Sequence, residues 1–472
     1  MRFSILPSVL CAFVPLCEAA EPPNFEDDVL PIFKQHCNGC HNPDKRKADL
    51  DLTTYAGVVK GSSGGEVVKA GVPDTSWLFE SITHADDVEP MPPKKPKIEA
   101  AQIEMIHKWI AGGLLEAEGG KSKLRRVSFD LAAGSMERPE NPAMPMNLPE
   151  LPLAKTRVAP PVLALASSPW TNLIAASGHR QVLLFGKRED AGPWSALGIL
   201  PFPEGDVHDL RFSRNGDLLL AAGGRGAHSG KVAVFDVRTG ERKATIADEQ
   251  DIVLSADISA DHRFVAIGTP GKKVKIFSAG NGQLLHTIGK HTDWVTEVRF
   301  SPDGKMLATG DRNGGIHVWE SENAAIVYTL DEHKVCITGL SWRADGQLLA
   351  SAAEDGKFVL WDMKDGWPTR TASPHSVKQE PSRYTRHTGI LDIRFARDGR
   401  FLTVGRDRSL RWWQTDGTAL GTIPDLKSLP TQATCSSEGR FFFSGDMAGN
   451  LHVWDPGSKS MLQTIRPRQT GS

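Results

Sequence analysis

The chain of 472 residues has little of what marks several protein classes. It holds six cysteines, two of them within the first twenty residues, too few for the disulfide framework that supports small secreted domains. Its 55 basic and 57 acidic residues give a net charge of -2, so there is no excess of cations to build the positive face that a nucleic-acid backbone demands. Past residue 20 no apolar run approaches the roughly 20 residues that cross a bilayer as a helix, which excludes a helical membrane bundle. With apolar residues at 40% and charged residues at 24%, the chain is also too hydrophobic to be wholly disordered.

What is present falls into consecutive segments. Residues 1–20, MRFSILPSVLCAFVPLCEAA, place Arg2 before an apolar run and end on Ala19 and Ala20. This reads as a signal peptide, with export to the periplasm or another extracytoplasmic compartment of a bacterium as its consequence. Residues 21–115 show helical periodicity at both ends. Phe25, Val29, Ile32 and Phe33 share one face of a short helix, and Ile103, Ile106, Trp109 and Ile110 share another that stops at Gly112 and Gly113,. The middle, YAGVVKGSSGGEVVKAGVPDTSWLF, reads as long and irregular, with a further short helix expected over 76–83. So loop-rich a domain is marginal on its own apolar burial, and a large cofactor would add to its core. Residues 116–160 are Pro-rich and read as an extended connector, although 126–132, RVSFDLA, could add a strand to the neighbouring domain. Residues 468–472 are a short tail.

From about residue 161 to 467 the chain repeats. Each unit closes its third predicted strand on an aromatic residue: Phe185, Phe235, Phe277, Trp319, Trp361, Trp413 and Trp454, with successive separations of 50, 42, 42, 42, 52 and 41 residues. No unit of this length buries both of its faces alone, whereas seven stacked radially do. The expected fold is multidomain, a small all-α domain followed by an all-β propeller of seven blades.

The chemistry sits in Cys37, Cys40 and His41, the run C-N-G-C-H just after the first helix. Two thiols at this spacing can bond the two vinyl groups of one porphyrin, and the adjacent imidazole can then coordinate its iron. A redox-active pair or half of a zinc site are the other readings. Zinc would need two more ligands, and no second cysteine pair lies in this domain. For the opposite side of the iron, Met91 in EPMPPKKPK is the candidate, with Met105, His84, His36 and His107 as competitors. Lys94, Lys95 and Lys97 follow Met91 and could attract an acidic partner.

The motifs FEDDVLPIFKQHCNGCH, VPDTSWLF, EPMPP and IEMIHKWIAGG resemble the small class I c-type cytochromes of the Planctomycetes and Verrucomicrobia type. That resemblance implies one covalently attached haem c, with Cys37 and Cys40 as thioether anchors, His41 as proximal ligand and Met91 as distal ligand. Residues 161–467 resemble WD40 repeats, whose blades are fixed by a buried His, Ser or Thr, Asp and Trp network. This assigns His333, Ser351, Asp355 and Trp361 to blade five and His387, Thr403, Asp407 and Trp413 to blade six. In blade four His291, Thr309 and Trp319 fit, with Asn313 where Asp is expected. The insertion between blades five and six carries Trp367 and Tyr384. The function implied is single-electron transfer, with the propeller docking a protein redox partner and no catalytic residue assigned. Two alternatives stay open: a haem-dependent oxidoreductase with a second cofactor or active site in the propeller, and a cell-envelope binding module with an incidental haem.

Overall fold

The computed structural model describes residues 23–85, 88–117, 129, 131, 134, 137–146, 148–154, 156–187, 192–375 and 389–466. The expected signal peptide, the C-terminal tail, Tyr384 and His387 lie outside them. The chain divides into two compact units, Met1–Arg126 and Val127–Ser472.

The first unit is helical. Asn24 Oδ1 accepts a hydrogen bond from the Asp27 amide at 2.9 Å and so caps the π-helical turn Phe25–Val29, which runs into α1 (Leu30–His36),. Phe25, Val29, Ile32 and Phe33 are buried, as their spacing predicts,. Two further helices, α2 (Tyr55–Lys60) and α3 (Trp77–Ile82), precede α4 (Ala100–Ala111). Ile106, Trp109 and Ile110 of α4 join the same core, while Ile103 is only partly buried. After α4 the chain turns at Gly113, whose φ of 92° suits glycine,. It then returns to its start. The Phe25 N–H and Trp109 Nε1–H both donate to the Leu115 carbonyl at 2.8 Å, and the Tyr55 hydroxyl donates to the Leu114 carbonyl at 2.6 Å.

The stretch expected to be irregular holds α2. Thr54 Oγ1 caps it by accepting from the Gly57 amide at 3.1 Å, and Gly61 ends it at φ 83°,. Six residues with two β-branched valines are too short and too weak in helix propensity to stand out in sequence.

The second unit is a propeller of seven four-stranded antiparallel sheets over 165–201, 206–249, 255–288, 295–330, 337–372, 390–423 and 430–465. Strands follow chain order from the innermost outward. The first strands of successive blades touch, and that of blade seven touches that of blade one, so the ring is closed. All seven repeat-marking aromatics lie buried in third strands. Side-chain acceptors on the inner strands of blades two, three, five and six tie each of these blades to the backbone of the next. Asp209 accepts from the Ala256 amide, Ser255 from Val298, Asp257 from Phe300, Ser341 from Phe395 and Asp392 from Ala433, all at 2.9–3.1 Å.

No strand is exchanged at closure, because each sheet takes its four strands from one contiguous stretch. The seam between blades seven and one joins side chains and the segment before the first strand, where the Val162 amide donates to the Asp446 carbonyl at 3.1 Å and Thr431 Oγ1 donates to the Val162 carbonyl. Ser167 Oγ lies 2.8 Å from Thr434 Oγ1, Gln463 bonds both the amide and the carbonyl of Trp194, and the Trp194 ring packs 4.7 Å from that of Phe443. Of the stretch expected as a connector, Phe129, Leu131 and Ala143 among the described residues lie on the propeller. The Phe129 amide donates to the Gly280 carbonyl at 2.8 Å, Phe129 and Leu131 pack on the core shared by blades two and three, and Ala143 is buried with blades one and two. Phe129 therefore meets blade three, away from the strands that close the ring.

The blade networks depart from the sequence assignment in three places. In blade four Asp311, at the end of the second strand, takes the carboxylate position in place of Asn313. His291 reaches Asp311 at 2.9 Å and Thr309 at 2.7 Å, and Trp319 Nε1 donates to Thr309 at 2.8 Å. In blade five His333 and Trp361 both reach Ser351 at 2.8 Å, but His333 Nδ1 makes no hydrogen bond among the described residues and Asp355 instead accepts from the Lys357 amide. In blade six the histidine is His375, which lies 2.8 Å from both Thr403 Oγ1 and Asp407 Oδ1. A Cβ added at Gly405 would come within 2.2 Å of its ring, so the strand is shaped around it. The spacing misled because an insertion sets His375 well before its strand, and the run RHTG at 386–389, at the end of that insertion, imitates the KHTD that leads into blade four.

Replacing Thr403 with the isosteric Val tests the blade-six network. It removes the hydroxyl that accepts from Trp413 Nε1–H and faces His375 Nε2, so T403V should lower unfolding stability by about 1–3 kcal/mol, read by denaturant titration. An unchanged midpoint would show that the network does not hold the blade.

Candidate functional site

Cys37 is the C-cap of α1, its amide donating to the Phe33 carbonyl at 2.8 Å. The chain continues in one more turn, since the Cys40 and His41 amides both donate to the Cys37 carbonyl at 3.1 Å. Residues three and four apart in such a turn share a face, so both thiols and the imidazole issue from one short piece of backbone. Two bonds hold the turn and the chain beyond it: Asn42 Nδ2 donates to the Asn38 carbonyl at 2.7 Å, and the Leu52 amide donates to the His41 carbonyl at 3.0 Å. A Cβ built at Gly39, between the cysteines, meets nothing within 4 Å.

The His41 ring is oriented from behind. Its Nδ1 lies 3.1 Å from the Lys47 carbonyl, an acceptor only, so Nδ1 carries the proton and Nε2 presents its lone pair. Burial lowers the His41 pKa, with the Lys47 carbonyl working in the opposite sense, and the neutral ring is the ligating form. Burial also pushes the Cys37 thiol up to about 11. That is the reverse of what a nucleophilic or disulfide-exchanging cysteine needs, and the two cysteines are not joined to each other. Among the described residues no three or more His, Cys, Asp or Glu side chains are grouped to hold a bare metal ion, the C-x-x-C-H residues included. A zinc site would need such a group. Anchoring a porphyrin edge needs only thiols side by side and one free imidazole nitrogen, and the turn offers both.

The Met91 loop is pinned to the end of α3. The Met91 amide donates to the Ser81 carbonyl at 2.9 Å, and His84 Nε2 lies 3.2 Å from the Met91 carbonyl. His84 thereby supports the loop through the nitrogen a ligand would need. Of the other competitors, His107 packs edge-on against Phe79 at 5.2 Å, Met105 packs on the helical core, and His36 Nε2 makes no hydrogen bond among the described residues. Because His36 directly precedes Cys37, it lies on the backbone that also carries His41, whereas Met91 comes from a separate loop. The sequence reading missed Lys47 and Ser81, which act through backbone carbonyls that no residue type announces, and it named His84 as a competing ligand rather than as a support for the loop.

A small α-helical domain carrying a C-x-x-C-H turn is thus fused to a seven-bladed β-propeller. The helical part is similar to Planctomycete cytochrome C, the family that matches residues 37–95, from the first cysteine of the motif to just past the Met91 loop. The propeller is similar to the WD domain, G-beta repeat, which matches residues 282–320, 325–362 and 378–414. A comparison with curated proteins found no match.

The Cys37 environment is open to direct measurement. In chain produced without haem attachment, a thiol held at about 11 has on the order of a hundredfold less thiolate at pH 8 than an ordinary cysteine. Iodoacetamide should therefore label Cys37 that much more slowly than the same site in urea, as followed by peptide mass mapping. Equal rates would restore the redox-pair reading.

Proposed function

We propose that the protein is an exported monohaem c-type cytochrome that carries single electrons, with its propeller as the docking scaffold for a protein redox partner. The observation that carries this reading is the C-x-x-C-H turn, in which burial favours the neutral His41 ring and the Lys47 carbonyl holds its Nδ1–H and so leaves Nε2 free. Cys37 and Cys40 would hold haem c through thioether bonds, with His41 and Met91 as the residues that would ligate its iron. When bound, that group supplies an iron that takes up and gives back one electron. The chain's own work is positional. The Lys47 carbonyl keeps His41 in one tautomer and orientation, and Ser81 and His84 fix the backbone of Met91 on both sides. No acid, base or nucleophile is needed from the protein.

Charge supports a protein partner. Lys45, Arg46 and Lys47 beside the motif and Lys94, Lys95 and Lys97 beside Met91 are exposed and form no salt bridge among the described residues. Two unpaired basic clusters next to a redox centre favour encounter with an acidic surface, at a rate that falls with ionic strength. No helix among the described residues is long and apolar enough to cross a membrane. The Planctomycete cytochrome C match and residues 1–20 together support a place outside the bacterial cytoplasm.

The test is the absorption spectrum of protein matured in an exporting host. One haem per chain, low-spin in both oxidation states and inert to carbon monoxide, is the expected result. M91A should make the reduced form bind carbon monoxide and lower its potential, H36A should change neither, and C37A/C40A should abolish covalent haem. A wild-type haem that is high-spin and binds carbon monoxide would replace electron transfer with an oxidoreductase.

A further inference from the structure

The inner strands of blades two, four and six share a short pattern: Asp209-Leu-Arg211-Phe, Glu297-Val-Arg299-Phe and Asp392-Ile-Arg394-Phe. Alternate residues of a strand share a face, so each blade sends a carboxylate and, one layer on, a guanidinium into the propeller axis. The carboxylate layer is largely spent on structure. Asp209 and Asp392 accept from neighbouring backbones, Arg299 Nη1 bonds Asp209 Oδ2 at 2.9 Å while its Nη2 lies 2.5 Å from Glu297, and Arg394 Nε lies 3.1 Å from Asp392.

The guanidinium layer opens into a cavity of about 230 Å³ beside the turns that join first to second strands. Arg211, Arg299 and Arg394 line it, with Arg214 and Arg397 in the same wall, and Asp257 is the one carboxylate in the lining. Both oxygens of Asp257 already accept backbone amides, from Ile258 and Phe300. Arg397 is held in place by stacking on Trp170, 3.4 Å from its ring centroid, and by donating to the Pro169 carbonyl. Trp170 in turn donates to the Arg214 carbonyl at 2.9 Å.

The charges do not balance within the cavity. Arg211 Nε lies 3.4 Å from Asp209 Oδ1, but neither this nitrogen nor Nη2 completes a hydrogen bond among the described residues, and both are buried. Arg299, only 5% exposed, likewise has an unpartnered Nε. Burial and the neighbouring Arg394 lower the Arg211 pKa, and burial lowers that of Arg214, with Arg397 adding to the effect. Buried donors left unpaired are costly. Planar guanidinium forks suit carboxylate and phosphate oxygens.

We propose that this end of the propeller channel is a binding site for a small multivalent oxyanion of the phosphate or dicarboxylate class, held by Arg211 and Arg214 with Arg397 at the rim. A volume of about 230 Å³ is below that of the usual drug-sized pocket and suits a ligand of few heavy atoms. The site is independent of the haem reading, since every residue in it belongs to the propeller.

The experiment titrates the full-length mature protein with inorganic phosphate and, separately, succinate, at ionic strength fixed with sodium chloride. Binding is read by calorimetry and by the thermal midpoint of the propeller. Saturable binding of either probe is expected, and the tighter one names the source of the oxyanion. R211Q/R214Q should weaken it at least tenfold. R397Q, at the exposed rim and outside the inner strands, should weaken it several-fold, which decides the matter even where the double variant folds poorly. A response to neither probe, or one that is unsaturable or the same in wild type and R397Q, would overturn the proposal, because anions also stabilise proteins non-specifically.

Discussion

A four-stranded blade cannot bury both of its faces, so everything in the larger unit depends on lateral attachment of one blade to the next. Hydrophobic faces supply most of the cohesion, and a ring of side-chain to backbone hydrogen bonds along the inner strands sets the register. Asp209, Ser255, Asp257, Ser341 and Asp392 each accept an amide from the following blade. Inner-strand amides would otherwise face the axis unpaired, a cost the fold avoids by placing acceptors there. The same requirement brings carboxylates into the axis, and arginines follow to compensate them. The charged channel is thus a product of how the ring is held.

The helical unit solves a smaller problem in the same manner. Its core of Phe25, Phe33, Ile106, Trp109 and Ile110 is compact, and its two ends meet at Leu114 and Leu115. This leaves the turn from Cys37 to His41 anchored at one end by α1 and at the other by Leu52. Chemistry here needs little sequence. Five residues give two thiols and an imidazole, and a carbonyl six residues further on fixes which ring nitrogen is free.

Much of this was legible in the sequence, for identifiable reasons. Phe25, Val29, Ile32 and Phe33 announce a helix through their period, and seven aromatics at near-constant spacing announce seven blades because each occupies the same buried place in a third strand. C-N-G-C-H is legible because its chemistry requires those residue types at that spacing. What escaped was set by geometry that residue type does not encode. Asp311 in place of Asn313, and His375 in place of His387, show that a buried network accepts any side chain that reaches it, whatever its offset from the strand. Thr54 and α2 were hidden by brevity. The recurring acid-x-Arg-Phe of blades two, four and six was visible, yet its meaning depends on three strands brought side by side around an axis.

Closure without strand exchange has a consequence for how the ring is made. In a propeller that completes its last sheet with a strand from the opposite terminus, one blade must stay unfinished until the whole chain has been delivered. Here every sheet is contiguous in sequence, so no blade needs a strand from the opposite end of the chain to complete its sheet. The contacts of Gln463 with Trp194, of Thr434 with Ser167 and of Asp446 with the Val162 amide are among those that need the last blade. The ring is therefore fastened by a clasp between its two ends rather than by a shared sheet.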